Sequence, residues 1–339
     1  MQAIYLTHPG PAQTAFATQP APDPQPAAGQ VRIVVEAFGL NFADVMARLG
    51  LYPAAPQPPC VLGYDVVGRI DAVGDGVDPA HIGQRVTALT RFGGYAELAV
   101  TDVAGTAEIP DDMDTGIALS LATQAATAYY MAEEMVRLHP GDQVLVHAAA
   151  GGVGTCLVQL AKWRGCTVFG TAGTADKLNY LLAQGVDHPI NYRQQDFVKA
   201  VQAKVGERGL DVIFDPIGGS SLRRGMSLLG ATGRMLAFGG SSFTQSRGWL
   251  GKLRNFLSYG FYHPLRLVAP SRGLIGVNML AVADHRPEVL QRVLAQTVKL
   301  AAQEVLRPTV GARFFAPQIA EAHAALEHRQ TTGKVIIKW

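Results

Sequence analysis

The segment Val144-Leu145-Val146-His147-Ala148-Ala149-Ala150-Gly151-Gly152-Val153-Gly154 constrains this chain more than any other. An apolar strand runs into a turn of alanine and glycine, and Leu157, Val158, Leu160 and Ala161 follow at the spacing of one helix face. A turn without large side chains lets the backbone approach a ligand. The start of the helix adds N–H groups without intrahelical partners and a positive partial charge. Strand, turn and helix in that order make a pyrophosphate site of the kind that opens a dinucleotide-binding sheet. Ala149 stands at the first glycine of the usual G-x-G-x-x-G pattern, so the flanking strand and helix carry the reading rather than the letters alone. The phosphates fall to Ala150, Gly151, Gly152, Val153 and Gly154.

The rest of the chain fits around that unit. From Leu121 onward, apolar strands alternate with helix-length amphipathic segments, which predicts a parallel sheet over Val144–His147, Thr167–Thr171, His188–Asn191, Asp211–Phe214, Arg234–Phe238 and Leu274–Val277. The first 120 residues read as short β runs (Val31–Val35, Val61–Val73, Arg85–Leu89, Tyr95–Val100) with a proline-rich connector from Pro20 to Pro26. A helix over Pro287–Gln303 and strands over Arg307–Phe315 and Gly333–Trp339 return to that β part. The expectation is therefore an α/β chain with two domains: residues 1–123 with 281–339, and residues 124–280. Residues 243–268 interrupt the second with Trp249, Phe256, Tyr259, Phe261 and Tyr262 among Arg247, Lys252, Arg254 and Arg266, a helical insertion that reads as a lid, as a surface for an apolar or lipid partner, or as a packed extension of the sheet's core.

At 339 residues the chain has room for two domains. Lysine and arginine total 29 against 27 acids, with neither sign in blocks, which argues against a nucleic-acid groove and for a small-molecule partner. Cys60, Cys156 and Cys166 form no close pair, as in a reducing compartment. The start of the sequence has no apolar signal core and no stretch reads as a membrane span, so the expected location is the cytoplasm. The second sheet strand leads into Ala172-Gly173-Thr174 with no acid before Asp176, where NAD sites place a carboxylate on the ribose 2′-hydroxyl. Without that repulsion, and with Lys177 in reach as a point charge or else a solvated helix lysine, the reading favours NADP(H).

The strings Asn41-Phe42-Ala43-Asp44, Gly50-Leu51-Tyr52-Pro53, Gly63-Tyr64-Asp65-Val66-Val67-Gly68, Gly83-Gln84-Arg85-Val86 and Thr331-Thr332-Gly333-Lys334-Val335 resemble the medium-chain dehydrogenase/reductase superfamily. Within it the chain is similar to the zinc-free quinone oxidoreductases, including the branch with the vesicle amine transport protein 1 homologues. The resemblance implies a GroES-like β-barrel domain, a Rossmann doubly wound sheet, and a nicotinamide cleft between them. Zinc members carry a cysteine at Asn41 and a histidine at Tyr64, so no metal is expected. His323 and His328 are expected on a solvated helix face.

The resemblance also implies roles. Asn41 can hydrogen-bond the acceptor oxygen, or cap a helix starting at Phe42; Tyr52 can orient substrate or supply a proton through water, or simply pack before Pro53. Thr127 matches a threonine beside the nicotinamide, and Tyr192 an aromatic over the adenosine phosphate or else a surface tyrosine. Phe238 and Gly239 are expected at the end of strand five and Asn278 at the end of strand six. Lys334 is expected near the cofactor or at a strand edge. The activity implied is NADPH-dependent, metal-free reduction of quinones or α,β-unsaturated carbonyls. Enoyl-thioester reduction and a weakly catalytic lipid- or partner-binding role are the rivals. A homodimer is expected through strand six, whose uncharged edge invites pairing with its own copy.

Overall fold

A computed structural model describes residues 1–246 and 248–339; Arg247, counted among the cations of the expected insertion, lies outside the described residues. The chain divides into two compact units, Met1–Thr127 with Met279–Trp339, and Ala128–Asn278. Among the described residues no helix is long and apolar enough to cross a membrane.

The first unit is built on a seven-stranded sheet. Its path runs Val310–Phe315, Lys334–Lys338, Gln30–Leu40, Asp65–Val73, Arg85–Leu89, Thr106–Glu108, and Leu98–Asp102 pairs with Gln30–Leu40 as well. The last strand of the chain runs antiparallel to Gln30–Leu40, Val335 opposite Leu40, which brings Lys334 to the strand that leads into Asn41. The expected run Val61–Val73 is broken. Gly63 takes φ +107, and a Cβ there would come within 2.6 Å of the Tyr95 ring, so the backbone turns at this glycine and pairing resumes at Asp65. Phe42–Arg48 forms a short helix with Asn41 as its N-cap. The helix Ile319–Glu327 packs on it and buries Ile319, Ala322 and His323. That overturns the solvated reading of His323: the ring is fully buried and meets the Tyr95 hydroxyl at 3.2 Å, while His328 is exposed. The five-residue spacing hid the difference, because it puts the two side chains on different faces of the turn.

The second unit carries a six-stranded parallel sheet in the order His188–Asn191, Thr167–Ala172, Gln143–Val146, Leu210–Asp215, Leu229–Ala237, Gly273–Gly276. This is the doubly wound order, reversing direction beside the first strand, where ligands bind at the carboxyl ends. Leu145, Phe169, Ile213 and Met235 form part of its core. Two boundaries differ from expectation. Strand five ends at Ala237, one residue before Phe238, and strand six ends at Gly276, so Asn278 follows the strand instead of closing it. Met279 and Leu280 already belong to a helix, Met279–His285, and are buried.

The insertion is helical over Gly248–Ser258 and Leu265–Val268. Tyr259, Tyr262 and Leu267 pack on the core of the second unit. Trp249, Leu250, Phe256, Phe261, Leu265 and Val268 instead face solvent, Phe261 at 82% exposure.

Candidate functional site

The glycine turn of the second unit has the geometry its sequence demands. Gly151 is the extended N-cap of the helix Gly152–Trp163, whose first intrahelical bond runs from Thr155 N–H to the Gly151 carbonyl at 2.8 Å. The amides of Gly152, Val153 and Gly154 therefore lack helical acceptors and are available to an anion. Ala148 takes φ +51, and the turn folds back tightly enough that a Cβ on Gly154 would lie 2.4 Å from the Ala148 carbonyl oxygen. Ala150 is buried beside them. The Thr171 hydroxyl accepts from the Ala148 amide at 3.2 Å and meets His147 Nδ1 at 3.1 Å, tying the turn to the next strand.

Beside this turn a cavity of about 440 Å³ opens at the carboxyl ends of the strands. His147, Thr171, Tyr192, Arg193, Ile217 and Arg224 are among its walls. Gly173 is what brings the polar groups together, since a Cβ there would sit 2.6 Å from the Tyr192 hydroxyl and 3.2 Å from Arg193 Nε. Thr174 caps the next helix, its hydroxyl accepting from the Lys177 amide at 3.4 Å, which places Lys177 in the first turn. Arg224 pairs with Asp196 and lies 4.7 Å over the Phe197 ring. Phe238 and Gly239 follow strand five, where the Phe238 amide donates to Asp215 and a Cβ on Gly239 would meet the Pro216 carbonyl oxygen at 2.6 Å. Asn278 is exposed at the end of this unit. Burial keeps His147 neutral by pushing its pKa below the ordinary imidazole value.

The remaining residues singled out from the sequence lie in the first unit. Asn41 is buried, and its side chain is held at both ends: Nδ2 donates to Asp65 at 3.0 Å, and Oδ1 accepts from the Lys334 ammonium at 3.1 Å. Lys334 and Asp65 are themselves fully buried and ion-paired at 2.5 Å. Gly39 makes room for the pair, because a Cβ there would lie 2.2 Å from Asp65 Oδ1 and 2.3 Å from Lys334 Cε. The Asn41 amide donates to Asp44 at 2.8 Å, closing the start of the helix. Asn41 is thus a cap and a fixed amide at once, with one Nδ2 proton still uncommitted. Tyr52 is half-buried in the loop after that helix, its ring edge-on to Tyr64 with centroids 6.1 Å apart, and burial raises its phenol pKa. Thr127 is buried and donates to the Thr123 carbonyl at 2.6 Å.

An alcohol dehydrogenase GroES-like domain model matches residues 27–111, and a zinc-binding dehydrogenase model matches residues 184–337. The synaptic vesicle membrane protein VAT-1 homolog of Danio rerio is 34% identical over 91% of this chain, which spans 64% of that relative's length. A 2-haloacrylate reductase from a Burkholderia species is 31% identical over 92% of this chain and 91% of its own. The chain belongs to the quinone oxidoreductase-like group of the medium-chain dehydrogenase/reductase superfamily. Among solved structures, Escherichia coli quinone oxidoreductase in complex with NADPH superimposes over 100% of both chains with a TM-score of 0.87 at 26% identity.

The superfamily includes zinc enzymes, and the residues present here do not suit that metal. The positions corresponding to two zinc ligands hold the amide of Asn41 and the phenol of Tyr64, and the Lys334 ammonium lies against the Asn41 oxygen, a cation where a second would be repelled. Among the described residues no cluster of three or more His, Cys, Asp or Glu is placed to hold an ion. Sequence reading missed the cavity walls His147, Thr171, Arg193 and Arg224 and the tie from Lys334 to Asp65. Arg193 was findable, standing directly after Tyr192; the Lys334–Asp65 pair was not, as 269 residues separate its members.

Proposed function

We propose that this protein is an NADPH-dependent oxidoreductase that reduces quinones or α,β-unsaturated carbonyls by hydride transfer without a metal. The observation that carries the reading is the strand end at Gly173. There the space of a side chain is left to Tyr192 and Arg193, Lys177 stands in the first turn of the following helix, and the stretch from Ala172 to Thr174 has no carboxylate. A 2′-phosphate fits such a cradle, and an unsubstituted ribose lacks its usual acidic partner. NADPH is the cofactor of the Escherichia coli structure that superimposes on this chain. The amides of Gly152, Val153 and Gly154 would hold the pyrophosphate, with Ala150, Gly151, Phe238, Gly239, Thr127 and Asn278 lining the path of the cofactor.

The bound cofactor supplies the hydride. The chain's part is to bind, to orient and to stabilise charge. Lys334 and Asp65 lock the Asn41 amide in one orientation, so its remaining N–H can meet an acceptor oxygen as negative charge gathers there. Tyr52 orients the acceptor. An acceptor conjugated enough to take hydride without a Lewis acid suits this donor set better than a simple ketone, and reduction of a conjugated acid is what the Burkholderia relative is named for. The protein is a cytoplasmic homodimer in this reading. A turnover screen of small quinones and enones with NADPH and NADH tests it: NADPH oxidation dependent on one of these acceptors is expected. Oxidation with none of them, or equal use of both cofactors, overturns it.

A second reading rests on the helix Gly248–Ser258, whose Trp249, Leu250, Phe256 and Leu257 are exposed beside Lys252 and Arg254. Aromatic and basic residues on one unburied helix suit a peripheral membrane surface or an apolar partner. Binding to anionic vesicles, lost in Trp249→Ser with Phe256→Ser, would support it alongside the catalytic role.

A further inference from the structure

His147 directly follows the strand Gln143–Val146, and its amide donates to the Phe214 carbonyl of the neighbouring strand at 3.0 Å. The residue is 2% exposed, its ring edge-on to Phe197 with centroids 4.8 Å apart, and it is a wall of the cavity at the carboxyl ends of the strands. The bonds around it fix where its proton sits. Thr171 Oγ1 accepts from the Ala148 amide at 3.2 Å, and its one other polar neighbour among the described residues is His147 Nδ1 at 3.1 Å, so the hydroxyl proton goes to Nδ1. Burial, helped by Arg224 and opposed by Asp215, holds the imidazole below its ordinary pKa. A neutral ring that accepts on Nδ1 carries its proton on Nε2. That Nε2 is buried without a hydrogen-bond partner, and so is the hydroxyl of Ser221, another wall of the same cavity, on the helix Ser220–Gly225. A buried donor without an acceptor is costly, and two unpaired groups on one wall define what a bound molecule must offer them.

We propose that His147 and Ser221 read the base of the dinucleotide, Nε2–H donating to N1 of adenine and the Ser221 oxygen accepting from the 6-amino group. The inference rests on the proposed use of NADPH and adds the base to what that site selects. The cavity adjoins both phosphate positions: Ala148, next to His147, begins the turn to Gly152, while Tyr192 and Arg193, which crowd Gly173, are cavity walls. C1′ and C2′ are neighbours in the ribose, so a base on the sugar whose 2′-phosphate lies at Gly173 begins beside this space, with Phe197 and Ile217 as apolar walls for its ring. N1 and the amino group lie at the end of the purine farthest from the sugar, where a residue as deeply buried as His147 is met. Hypoxanthine and guanine both carry a proton on N1 and an oxygen at C6. Their N1–H would face the Nε2–H, donor against donor, so the site favours adenine by the cost of that mismatch.

The test compares binding of NADPH with that of its deamino analogue, in which hypoxanthine replaces adenine, through the fluorescence of the reduced nicotinamide that both carry. Wild type should bind NADPH on the order of ten- to a hundredfold more tightly. His147→Asn keeps an acceptor beside Thr171 but withdraws the Nε2 donor, and should lose most of that preference. His147→Gln, whose amide N–H reaches the Nε2 position, should restore part of it. Ser221→Ala should weaken NADPH severalfold. The preference for NADPH over NADH should persist in His147→Asn, since it depends on Gly173 and Lys177, and this separates loss of base reading from general damage to the site. Equal affinity of wild type for NADPH and the deamino analogue, or an unchanged ratio in both His147→Asn and Ser221→Ala, overturns the base reading and leaves the NADPH-dependent function standing. A wild type that binds NADH as tightly as NADPH, or binds neither, overturns the functional reading itself.

Discussion

Replacing Lys334 with methionine isolates the buried centre of the first unit. The substitution conserves length and removes the ammonium that Asp65 meets at 2.5 Å and Asn41 at 3.1 Å. Both members of the pair are fully buried and Asp65 Oδ1 already lacks a partner, so the variant leaves a carboxylate with one hydrogen bond, from Asn41 Nδ2, and no counter-charge. Stranding a buried charge in this way costs about 3–5 kcal/mol. At roughly 2–4 °C per kcal/mol for a domain of this size, the melting point of the unit should fall by about 6–20 °C. Trp339 reports on the unit directly: its indole donates to the Ala96 carbonyl at 3.0 Å and its ring lies 6.0 Å from Phe38. Urea unfolding followed by Trp339 fluorescence, in a background with Trp163 and Trp249 changed to phenylalanine, gives the free-energy loss. Adding Asp65→Asn removes the stranded charge and should return more than half of it. A Lys334→Met variant within about 1 kcal/mol of wild type, or a double variant no better than the single, would refute the reasoning.

Lys177→Ala should weaken NADPH by about tenfold or more and NADH by far less, as one charge-assisted contact to a phosphate is lost; fluorescence titration with both cofactors measures it, and parallel losses would move the 2′-phosphate elsewhere. Asp44→Asn should stabilise the protein above neutrality. The folded carboxyl binds its proton more tightly than the unfolded one, so its contribution is present below the unfolded value of 3.8 and is lost as pH rises through about 7. The variant's advantage, on the order of a few kcal/mol at pH 8, should vanish near pH 4; an advantage independent of pH counts against the raised value. The strand Gly273–Gly276 closes one edge of the parallel sheet with no charge or proline, so light scattering should find a dimer that Ile275→Lys weakens. A mass near the 36.0 kDa monomer at micromolar protein would contradict that assembly.

What could be read in advance was whatever local chemistry dictates. The strand–glycine–helix string appears as Gln143–Val146, a turn at Ala148 and a helix from Gly152, because each step is set by residues within a few positions of one another. Arg85–Leu89 and His188–Asn191 fell on their expected limits for the same reason. Strand six did not: in Leu274-Ile275-Gly276-Val277-Asn278-Met279-Leu280 the strand stops at Gly276, and Met279 and Leu280 are buried at the start of a helix that belongs to the first unit. A largely apolar run has no period to distinguish the two. His323 was misjudged because its burial comes from the helix Phe42–Arg48 and the Tyr95 ring, far away in sequence. Around Asn41 the cap was legible from Asn41-Phe42-Ala43-Asp44, whereas the ion pair that orients the amide joins two strands, Lys334–Lys338 and Asp65–Val73, that pair on opposite sides of Gln30–Leu40.

Under the proposed function, hydride passes from NADPH to a conjugated acceptor on this chain. NADPH deuterated at the transferable C4 position, incubated with the protein and a small enone in chelator-treated buffer, tests it by mass spectrometry of the product. Product carrying one deuterium at the β carbon is expected at a rate undiminished by chelator, with much less product from deuterated NADH. Unlabelled product, or activity that disappears with the chelator and returns with zinc, would contradict it.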